Sequence, residues 1–400
     1  MSIDLLSGTD MRPVTGSVIL AFLVSALSAQ PRSATQLGIY HWGAGHSHSV
    51  NEGVTAIVSL GGHVARVALS PRYYRDYHIA ETCYPNFTLT AAAQEPDFQQ
   101  AFDQPAMDVY ILTTYDGASF GDCQTPNFLN PAFFTPSQTA AVVQEYSDFT
   151  LYLSRRYHHT HKRFILSNWE ADNAIYCGQA ARYAGDADFR EACRSQYPAA
   201  YGIASPEDAL QGLTQWLNAR ARGMADGQQR ALAEGIGGKR VYSAPEFNIV
   251  RTLHDHGFPS VLYDVLPSVM FDYVSYSAWE SLDSPDPART LWNDLETVQN
   301  VVGSSAIIVG ESGFLRQSGS QQDVVRTSQT IDAALAWGAA YVIQWQLYDT
   351  DARNAFGLFD LEGRPTPLRD WFQLRFQQAN APGPRTPAIP PVPRTPAPRN

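Results

Sequence analysis

The feature that most constrains the fold of this chain is a series of eight short apolar segments separated by helical patterns. A strand that is buried on both faces reads as a continuous apolar run, and strands that alternate with helices form parallel sheets. The segments are residues 37–42, 64–69, 108–113, 164–167, 240–243, 273–277, 306–309 and 341–346. Eight such units predict an α/β fold, a (β/α)8 TIM barrel that forms one domain over residues 34–380.

The helical patterns between these segments can be read in some detail. Apolar residues at helical spacing predict helices over Ser137 to Tyr157 and over Gln322 to Trp337. Ser205, followed by Pro206 and two acidic residues, predicts the start of another helix. The long connections follow segments two, three and four, so we expect the loops at the carboxyl ends of these strands to build the functional face.

Both ends of the chain fall outside the predicted barrel. Residues 1–29 have the order of a secretory signal peptide, with Met11-Arg12, an apolar run over Val18 to Leu27, and small residues before Gln30. Met11 is an alternative start. We therefore expect a secreted or periplasmic protein that is not inserted in a membrane after the signal is removed. Residues 381–400 are rich in proline and predict an extended, disordered tail.

Charge and aromatic content narrow the class of partner. The formal net charge of -11 argues against nucleic acid and against anionic membrane surfaces. The chain has 20 tyrosines and 8 tryptophans, and aromatic faces can stack on sugar rings as well as fill a core. The aromatic content is therefore compatible with a carbohydrate partner, we expect a monomer, and we find no motif that requires a metal or another cofactor.

Four cysteines fit an oxidising compartment, and their spacing contains no C-x-x-C zinc pattern. Three pairings are possible. We favour the pairing of sequence neighbours, Cys83 with Cys123 and Cys177 with Cys193, because each bond would then close one excursion between barrel strands.

Two glutamates stand where segments four and seven end. Segment four runs into Ser167-Asn168-Trp169-Glu170, and segment seven runs into Gly310-Glu311-Ser312-Gly313. A carboxylate is costly to bury without partners, and the carboxyl ends of barrel strands are where barrel enzymes place their chemistry. Cleavage of a glycosidic bond needs two carboxyl groups that flank the bond. The sequence therefore predicts a glycosidase site across the barrel mouth.

These two motifs and the order of the strands resemble the retaining glycoside hydrolases of the (β/α)8-barrel superfamily known as clan A, the cellulase and β-glycosidase type. The resemblance covers residues 37 to about 378 and singles out no family within the clan. It implies that Glu170 is the acid/base and Glu311 the nucleophile of a double displacement on a poly- or oligosaccharide. In the clan an asparagine directly precedes the acid/base, whereas here Trp169 separates Asn168 from Glu170.

The resemblance also implies three supporting residues. Arg66, within V-A-R-V-A-L-S, resembles the clan's arginine that holds the nucleophile charged. Tyr276, within Y-V-S-Y-S-A-W, resembles the tyrosine of strand six that contacts the nucleophile. Trp345, within Y-V-I-Q-W-Q-L-Y-D, resembles the tryptophan that forms the floor of the sugar subsite. Each also has a structural interpretation as a buried ion pair or a core aromatic.

Further candidates for substrate contact lie at other strand ends. His41 and Trp42 close segment one, and either could instead be a packing residue. Asn168 and Trp169 precede the acid/base. Glu246, within S-A-P-E-F-N after segment five, is predicted to be a substrate contact or a loop anchor, and it would be the acid if the strand count were shifted by one.

The expected mechanism places different demands on the two glutamates. We expect Arg66 and Tyr276 to lower the pKa of Glu311 and a less polar setting beside Trp169 to raise the pKa of Glu170.

The alternative to a glycosidase is a catalytically inactive barrel that binds carbohydrate. A carboxyl separation of about 5 Å would favour retention, and a much wider gap would favour inversion or no catalysis. The sequence does not indicate the sugar, the linkage, or endo against exo action.

Overall fold

A computed structural model describes residues 36–43, 49–120, 126–316, 321–351 and 353–380. These residues fall in one compact unit. The predicted signal peptide, residues 1–29, and the predicted proline-rich tail, residues 381–400, lie outside the described residues.

Within the described ranges, nine strands form one parallel sheet whose order is β5-β4-β3-β2-β1-β9-β8-β7-β6. The strands are β1 (Leu37–His41), β2 (Val64–Leu69), β3 (Val109–Thr114), β4 (Arg163–Ser167), β5 (Val241–Ser243), β6 (Glu246–Phe247), β7 (Val274–Ser277), β8 (Ile307–Ser312) and β9 (Tyr341–Trp345). All eight predicted strands are confirmed, most of them to within one residue at either end.

The two edges of the sheet, β5 and β6, are halves of one barrel strand interrupted at Ala244-Pro245. β5 pairs with β4, and β6 pairs with β7. The Tyr273 amide also donates to the Ser243 carbonyl at 3.0 Å, which links the first half to the β7 side. The sheet therefore closes on itself, and the predicted (β/α)8 barrel is confirmed.

Helices connect the strands and cover the sheet. The described α-helices are α1 (Val50–Ser59), α2 (Tyr73–Asp76), α3 (Leu89–Ala93), α4 (Pro96–Asp103), α5 (Gly117–Phe120), α6 (Pro136–Tyr157), α7 (Ala171–Ile175), α8 (Ala180–Gly185), α9 (Ala187–Ala200), α10 (Pro206–Ala233), α11 (Thr252–Asp255), α12 (Trp279–Leu282), α13 (Pro287–Val302), α14 (Gln321–Trp337) and α15 (Pro367–Asn380). Shorter helical turns are Asn127–Leu129, Pro131–Phe133, Val261–Val265 and Leu266–Ser268.

The predicted helix starts are formed by capping residues. Ser205 accepts from the amide of Asp208, and the Asp208 carboxylate accepts from the amide of Ser205, so α10 begins with a capping box and a proline in its first turn. α6 and α14 match the predicted helices to within one residue. No helix in the described ranges is long and apolar enough to span a membrane.

Side chains inside the barrel and side chains between the sheet and the helices form two separate apolar clusters. Along β2, Val64 belongs to the inner cluster, and Ala65 and Val67 belong to the outer one. Strand alternation therefore directs Arg66 into the barrel, where its side chain is fully buried. A charge inside the barrel requires buried partners, and these are found at the carboxyl ends of the strands.

One predicted disulfide is present, between Cys177 and Cys193, which are 16 residues apart in sequence. It joins the segment after α7 to α9 on the side of the barrel where β4 ends. The other predicted pairing involves Cys123, which lies outside the described residues.

Candidate active site

The barrel places Glu170 and Glu311 at the carboxyl ends of their strands. Glu170 lies three residues beyond the end of β4 and directly precedes α7, while Glu311 is the fifth residue of β8. Their exposed fractions are only 4% and 2%. Two carboxyl groups that are this deeply buried need partners, and the same small set of residues supplies them.

The indole of Trp279 connects the two glutamates. Its Nε1–H donates to Glu311 Oε2 at 3.3 Å, and the indole also lies close enough to Glu170 to lower the pKa of that carboxyl group. Phe356 packs against the indole edge to face, with ring centroids 5.5 Å apart, and supports the ring. The indole therefore lies next to both carboxyl groups.

The other carboxylate oxygen of Glu311, Oε1, makes few polar contacts. Oε1 lies 3.5 Å from Arg66 Nη2, within ion-pair range. Among the described residues it has no hydrogen-bond partner, although it is buried. This oxygen is therefore available to a water molecule or a ligand.

Arg66 makes its closest ion pair with Glu246. Nη1 donates to Glu246 Oε2 at 2.6 Å, and Nη2 donates to Oε1 at 2.8 Å, with both side chains fully buried. Arg66 also donates to the Gly310 carbonyl, to the Thr113 hydroxyl and to the Asn168 carbonyl. The predicted contact between Arg66 and Glu311 is therefore present, but it is the longer of the two ion pairs that Arg66 makes.

The residue inserted between Asn168 and Glu170 is accommodated by a change in the role of Asn168. Its Nδ2 donates to the Glu246 carbonyl at 2.9 Å, and its Oδ1 accepts from the Glu246 amide at 3.0 Å. The side-chain amide thus continues the β4–β5 ladder where the main chain of β4 turns away. The Trp169 amide donates to the Tyr115 hydroxyl at 3.0 Å, and the Trp169 side chain is 39% exposed at the mouth.

Two predicted site residues point away from the mouth. Tyr276 belongs to the outer cluster, stacks on Phe247, and its hydroxyl lies 2.9 Å from Ser281 Oγ and donates to Asp294 at 3.4 Å. The predicted contact between Tyr276 and Glu311 is therefore wrong.

His41 is the second of these residues. Its ring packs between the main chain of α1 and two tyrosines, so close to Gly53 that a Cβ there would lie 2.1 Å from the imidazole. The expectation that His41 lines the pocket is wrong as well, and its alternative as a packing residue is the one the structure shows.

Trp345 and Trp42 form an aromatic wall on the opposite side. Their ring centroids lie 5.7 Å apart, and Trp345 also meets Tyr40 edge to face at 4.8 Å. Both tryptophans are partly exposed. They come from β9 and from the end of β1, which are neighbours in the sheet and lie across the barrel from β4 and β5.

A polar cavity of about 700 Å³ lies beyond Glu170 and Trp279. Trp279 and Asn173 form the boundary between this cavity and the carboxyl pair, and Asn173 Nδ2 donates to Glu170 Oε2 at 2.5 Å. The loops after β4, β6 and β7 line the rest, with Arg182, Asn248, Arg251 and Glu280 among their side chains. The volume is in the range of small-ligand sites, about 300–1,000 Å³.

Burial dominates the electrostatics of the pair. It raises the pKa of Glu170 to about 7, the negative charge of Glu246 adds to this, and hydrogen bonds from Asn173 and Trp279 oppose it. Burial also raises the pKa of Glu311 well above its usual range; Arg66 opposes this rise, and Glu170 and Glu246 add to it. The expected lowering of the pKa of Glu311 is wrong, because Tyr276 is absent from its surroundings and Arg66 is engaged with Glu246.

Two buried carboxyl groups that raise each other's pKa share one proton. Glu311 has the Arg66 guanidinium at 3.5 Å, whereas the largest charge effect on Glu170 comes from another carboxylate, Glu246, and Arg66 opposes it. The closer guanidinium favours the negative charge on Glu311, and the neighbouring carboxylate favours the proton on Glu170.

Sequence reasoning missed two side chains that complete the site, Trp279 and Asn173. Both lie close to motifs that pointed to the site, since Trp279 ends the run Y-V-S-Y-S-A-W and Asn173 follows Glu170 by three residues. The signal for Trp279 was its place after a strand end, which is where barrel enzymes position functional groups. In the described part of the chain, no group of three or more His, Cys, Asp or Glu side chains could hold a metal ion.

Neither a protein-family model nor the sequence of a curated protein matches this chain. In structure it is similar to a variant of GH5_18 from Streptomyces cattleya in complex with Manβ1-4GlcNAc, with 14% identity over 87% of this chain and 82% of that chain and a TM-score of 0.56. It is also similar to the exo-β-1,4-mannosidase Op5Man5 from Opitutaceae bacterium strain TAV5, with 14% identity over 87% and 60% and a TM-score of 0.51.

A third similar structure is a β-glucosidase from Exiguobacterium marinum, with 10% identity over 82% of this chain and 87% of that chain and a TM-score of 0.51. At these identities the similarity establishes a shared barrel fold. The fold that accompanies the predicted resemblance to clan A is thereby confirmed.

Proposed function

We propose that this chain is a retaining glycoside hydrolase in which Glu311 is the nucleophile and Glu170 the acid/base. The observation that carries the proposal is that one indole, Trp279, lies beside both buried carboxyl groups: its N–H donates to Glu311 at 3.3 Å, and it lowers the pKa of Glu170. Two carboxyl groups beside one side chain fit the spacing of about 5–5.5 Å in retaining enzymes better than the wider spacing of inverting ones. Retention needs no water between the sugar and the second carboxylate.

In the first step, a carboxylate oxygen of Glu311 attacks the anomeric carbon while the glycosidic bond breaks. The proton of Glu170 goes to the leaving oxygen, for which a pKa of about 7 is suited at neutral pH. The unpartnered Oε1 of Glu311 is the oxygen best placed to attack, because Trp279 holds Oε2. The product is a glycosyl ester on Glu311 and a free leaving group.

In the second step, the ester has removed the negative charge from Glu311. Glu170 is then ionised and takes a proton from water, whose oxygen attacks the anomeric carbon and displaces Glu311. Arg66 and Trp279 stabilise the carboxylate that is released. Configuration at the anomeric carbon is inverted twice and is therefore retained overall.

The placement of the two sugars follows from the side on which the acid lies. The leaving group must lie beside Glu170, and the 700 Å³ polar cavity begins at Asn173 and Trp279 on that side. The sugar that is transferred then packs on the aromatic wall of Trp345 and Trp42. Since the similar structures include a mannosidase and a glucosidase, β-mannosides and β-glucosides are the first substrates to test.

Export from the cytoplasm is part of the proposal. The Cys177–Cys193 bond supports an oxidising compartment, as the predicted signal peptide does. A fusion of residues 1–34 to a periplasmic reporter tests this directly. Export of the reporter is expected, and a reporter that stays in the cytoplasm would contradict the secreted or periplasmic location.

The activity test uses a panel of aryl β-glycosides, β-linked disaccharides and polysaccharides, with proton NMR of the first product formed. Turnover with retention is expected, and it should fall by about 10³-fold or more in E311A and return with azide as a glycosyl azide of inverted configuration. E145Q is the control, because Glu145 is also a glutamate whose pKa is raised by burial, although it is only partly buried and lies on α6. Equal activity in E311A and in the wild-type protein would refute the assignment.

A second candidate function is carbohydrate binding without catalysis. It is favoured by one observation, that both polar atoms of the Asn168 side chain are taken up by the Glu246 main chain and are not free for a sugar hydroxyl. Calorimetric binding of an oligosaccharide that is never cleaved, with equal affinity in wild type and E311A, would support this function over hydrolysis.

A further inference from the structure

Three buried carboxyl groups surround a single guanidinium at the bottom of the candidate site. They are Glu170 after β4, Glu246 on β6 and Glu311 on β8, and the guanidinium belongs to Arg66 on β2. The other titratable groups that face Glu246 are Tyr40 on β1 and Tyr115 after β3, both neutral phenols. If all three carboxyl groups were ionised, the cluster would carry two net negative charges away from water.

Glu246 is the carboxyl group that is held most firmly. Both of its oxygens bind Arg66, and Oε2 also accepts from Ser275 Oγ at 2.6 Å. The Glu170 amide points at Oε1 from 3.3 Å. The Asn168 side chain also holds the main-chain amide and carbonyl of Glu246, which fixes the position of this residue in the barrel.

The strand opposite is shaped to leave room for this cluster. A Cβ on Gly310 would lie 2.3 Å from Glu246 Oε2, 2.2 Å from Ser275 Oγ and 3.0 Å from Arg66 Nη1. The residue directly before Glu311 is therefore a glycine because Glu246 and Ser275 occupy the space of its side chain. The position of Glu246 and the position of Glu311 are linked through this contact.

Arg66 is divided unequally between the two carboxylates. Nη2 lies 2.8 Å from Glu246 Oε1 but 3.5 Å from Glu311 Oε1. A guanidinium that is already paired bidentately offers Glu311 much less stabilisation than a free one, since its charge is largely balanced. Glu246 also adds its own negative charge beside both members of the pair.

We propose that Glu246 is a positioning residue that keeps one proton on the Glu170–Glu311 pair at neutral pH, by occupying Arg66 and by placing a fixed negative charge beside both carboxyl groups. The proposal rests on the proposed function only where activity is the readout. Glu246 itself does not touch the sugar. It acts through Arg66, and its substitution should therefore move the pH range of activity as well as its level.

The substitution E246Q removes the charge and keeps the shape. Arg66 is then free to pair with Glu311, and the like-charge repulsion on Glu170 disappears. Both limbs of the plot of kcat/KM against pH should move to lower pH, by about one unit or more. A residue that merely supports the fold would lower the rate or the melting temperature and leave both limbs in place.

S275A is the matched control. It removes the 2.6 Å hydrogen bond to Glu246 and opens the same part of the barrel, but it leaves all charges unchanged. Both limbs of the plot of kcat/KM against pH should lie at the same pH in S275A as in the wild type. If S275A moves them as far as E246Q does, the effect is one of packing, and the proposal is wrong.

The titration can also be measured without a substrate. Carbon NMR of protein labelled at the glutamate carboxyl carbons follows Glu170 and Glu311 directly, with E170Q and E311Q used for assignment. In E246Q both midpoints should move to lower pH. Unchanged midpoints in E246Q would overturn the proposal about Glu246, even if the wild-type protein is an active glycosidase. Shifted midpoints, together with a wild-type protein that cleaves none of the substrates, would uphold the proposal about Glu246 and refute the proposed function.

A second variant protects the test if E246Q does not fold. E246A also removes the charge, without adding an amide, and should give an acid shift of the same sign. Folding of each variant is checked by circular dichroism before titration. Alkaline shifts in E246A, or midpoints equal to those of the wild type, would contradict the proposal.

Discussion

Replacing Trp279 with Phe removes one N–H group from the centre of the site and leaves the ring that packs on Phe356. The lost donor serves Glu311, so the change affects the ionised form of this carboxylate before reaction and again when it is released. Hydrogen bonds to charged groups contribute about 1.5–3 kcal/mol. The Nε1 to Oε2 distance of 3.3 Å is long, and we therefore use the lower figure, about 1.5 kcal/mol.

That loss corresponds to roughly a tenfold decrease in the rate of the second step, in which the negative charge returns to Glu311, and in kcat where that step is rate-limiting. Since the donor favours the charged form of Glu311, its removal raises the pKa of Glu311 further, by about one unit. The acid limb of the plot of kcat/KM against pH should therefore move to higher pH. This direction is opposite to the shift expected for E246Q, so the two variants test the same electrostatic account from both sides.

The assay is hydrolysis of an aryl β-glycoside from about pH 4 to pH 9 by wild type, W279F and the control W292F. Trp292 is also an indole that donates to a glutamate, Glu296, but it lies on the exposed face of α13. W292F should leave rate and limbs unchanged. A W279F protein whose kcat is within twofold of the wild type, with an unmoved acid limb, would refute the bridging role of Trp279.

Three further outcomes are expected. Activity should fall as pH rises through about 7, because Glu170 must carry its proton to protonate the leaving group and its pKa is raised to about 7; a pH–rate profile that is flat up to pH 9 would contradict this. G310A should lower the free energy of unfolding by about 2 kcal/mol or more, because its Cβ would meet a carboxylate oxygen at 2.3 Å. Denaturant titration measures this, and G237A, where nothing lies within 4 Å, should change stability by less than about 0.5 kcal/mol. C177S should lower the free energy of unfolding by about 3 kcal/mol, because it removes the bond to Cys193 that closes a loop of 16 residues. Equal melting temperatures of the wild-type protein with and without reductant would argue against that bond.

Barrel strands were predictable because a parallel strand covered on both faces is apolar along its whole length. The break in the fifth strand was not, because Ala244-Pro245 looks like the end of a strand rather than its middle. The proline has no N–H for the ladder, and the strand resumes after it at Glu246. Because the strand resumes at Glu246, this residue lies inside the barrel and not in a loop.

The error at Tyr276 has a different origin. Neighbouring residues of a strand point to opposite sides, and in β7 it is Ser275 whose side chain reaches the buried ion pair inside the barrel. Where both faces of a strand are apolar, the sequence contains no signal for which set faces inward. The structure assigns the contact with Glu311 to Trp279, three residues further on, where the strand has ended.

The role of Asn168, which is separated from Glu170 by one extra residue, could not be predicted from the sequence either. An asparagine one residue too early suggests either a bulge or a new role, and local propensity does not separate the two. The new role depends on a partner 78 residues away, the main chain of Glu246. Contacts of this kind are fixed by barrel closure, which no local pattern specifies.

The central claim, that Glu311 forms a covalent bond to the sugar, can be tested by trapping. An activated 2-deoxy-2-fluoro glycoside slows both steps but slows hydrolysis of the ester more, so a glycosyl-enzyme accumulates. Mass spectrometry of the digested protein should place one fluoroglycosyl group on the peptide that contains Glu311, and E311Q should take up none. A label on Glu170 or Glu246, or turnover with inverted configuration and no label, would contradict the account.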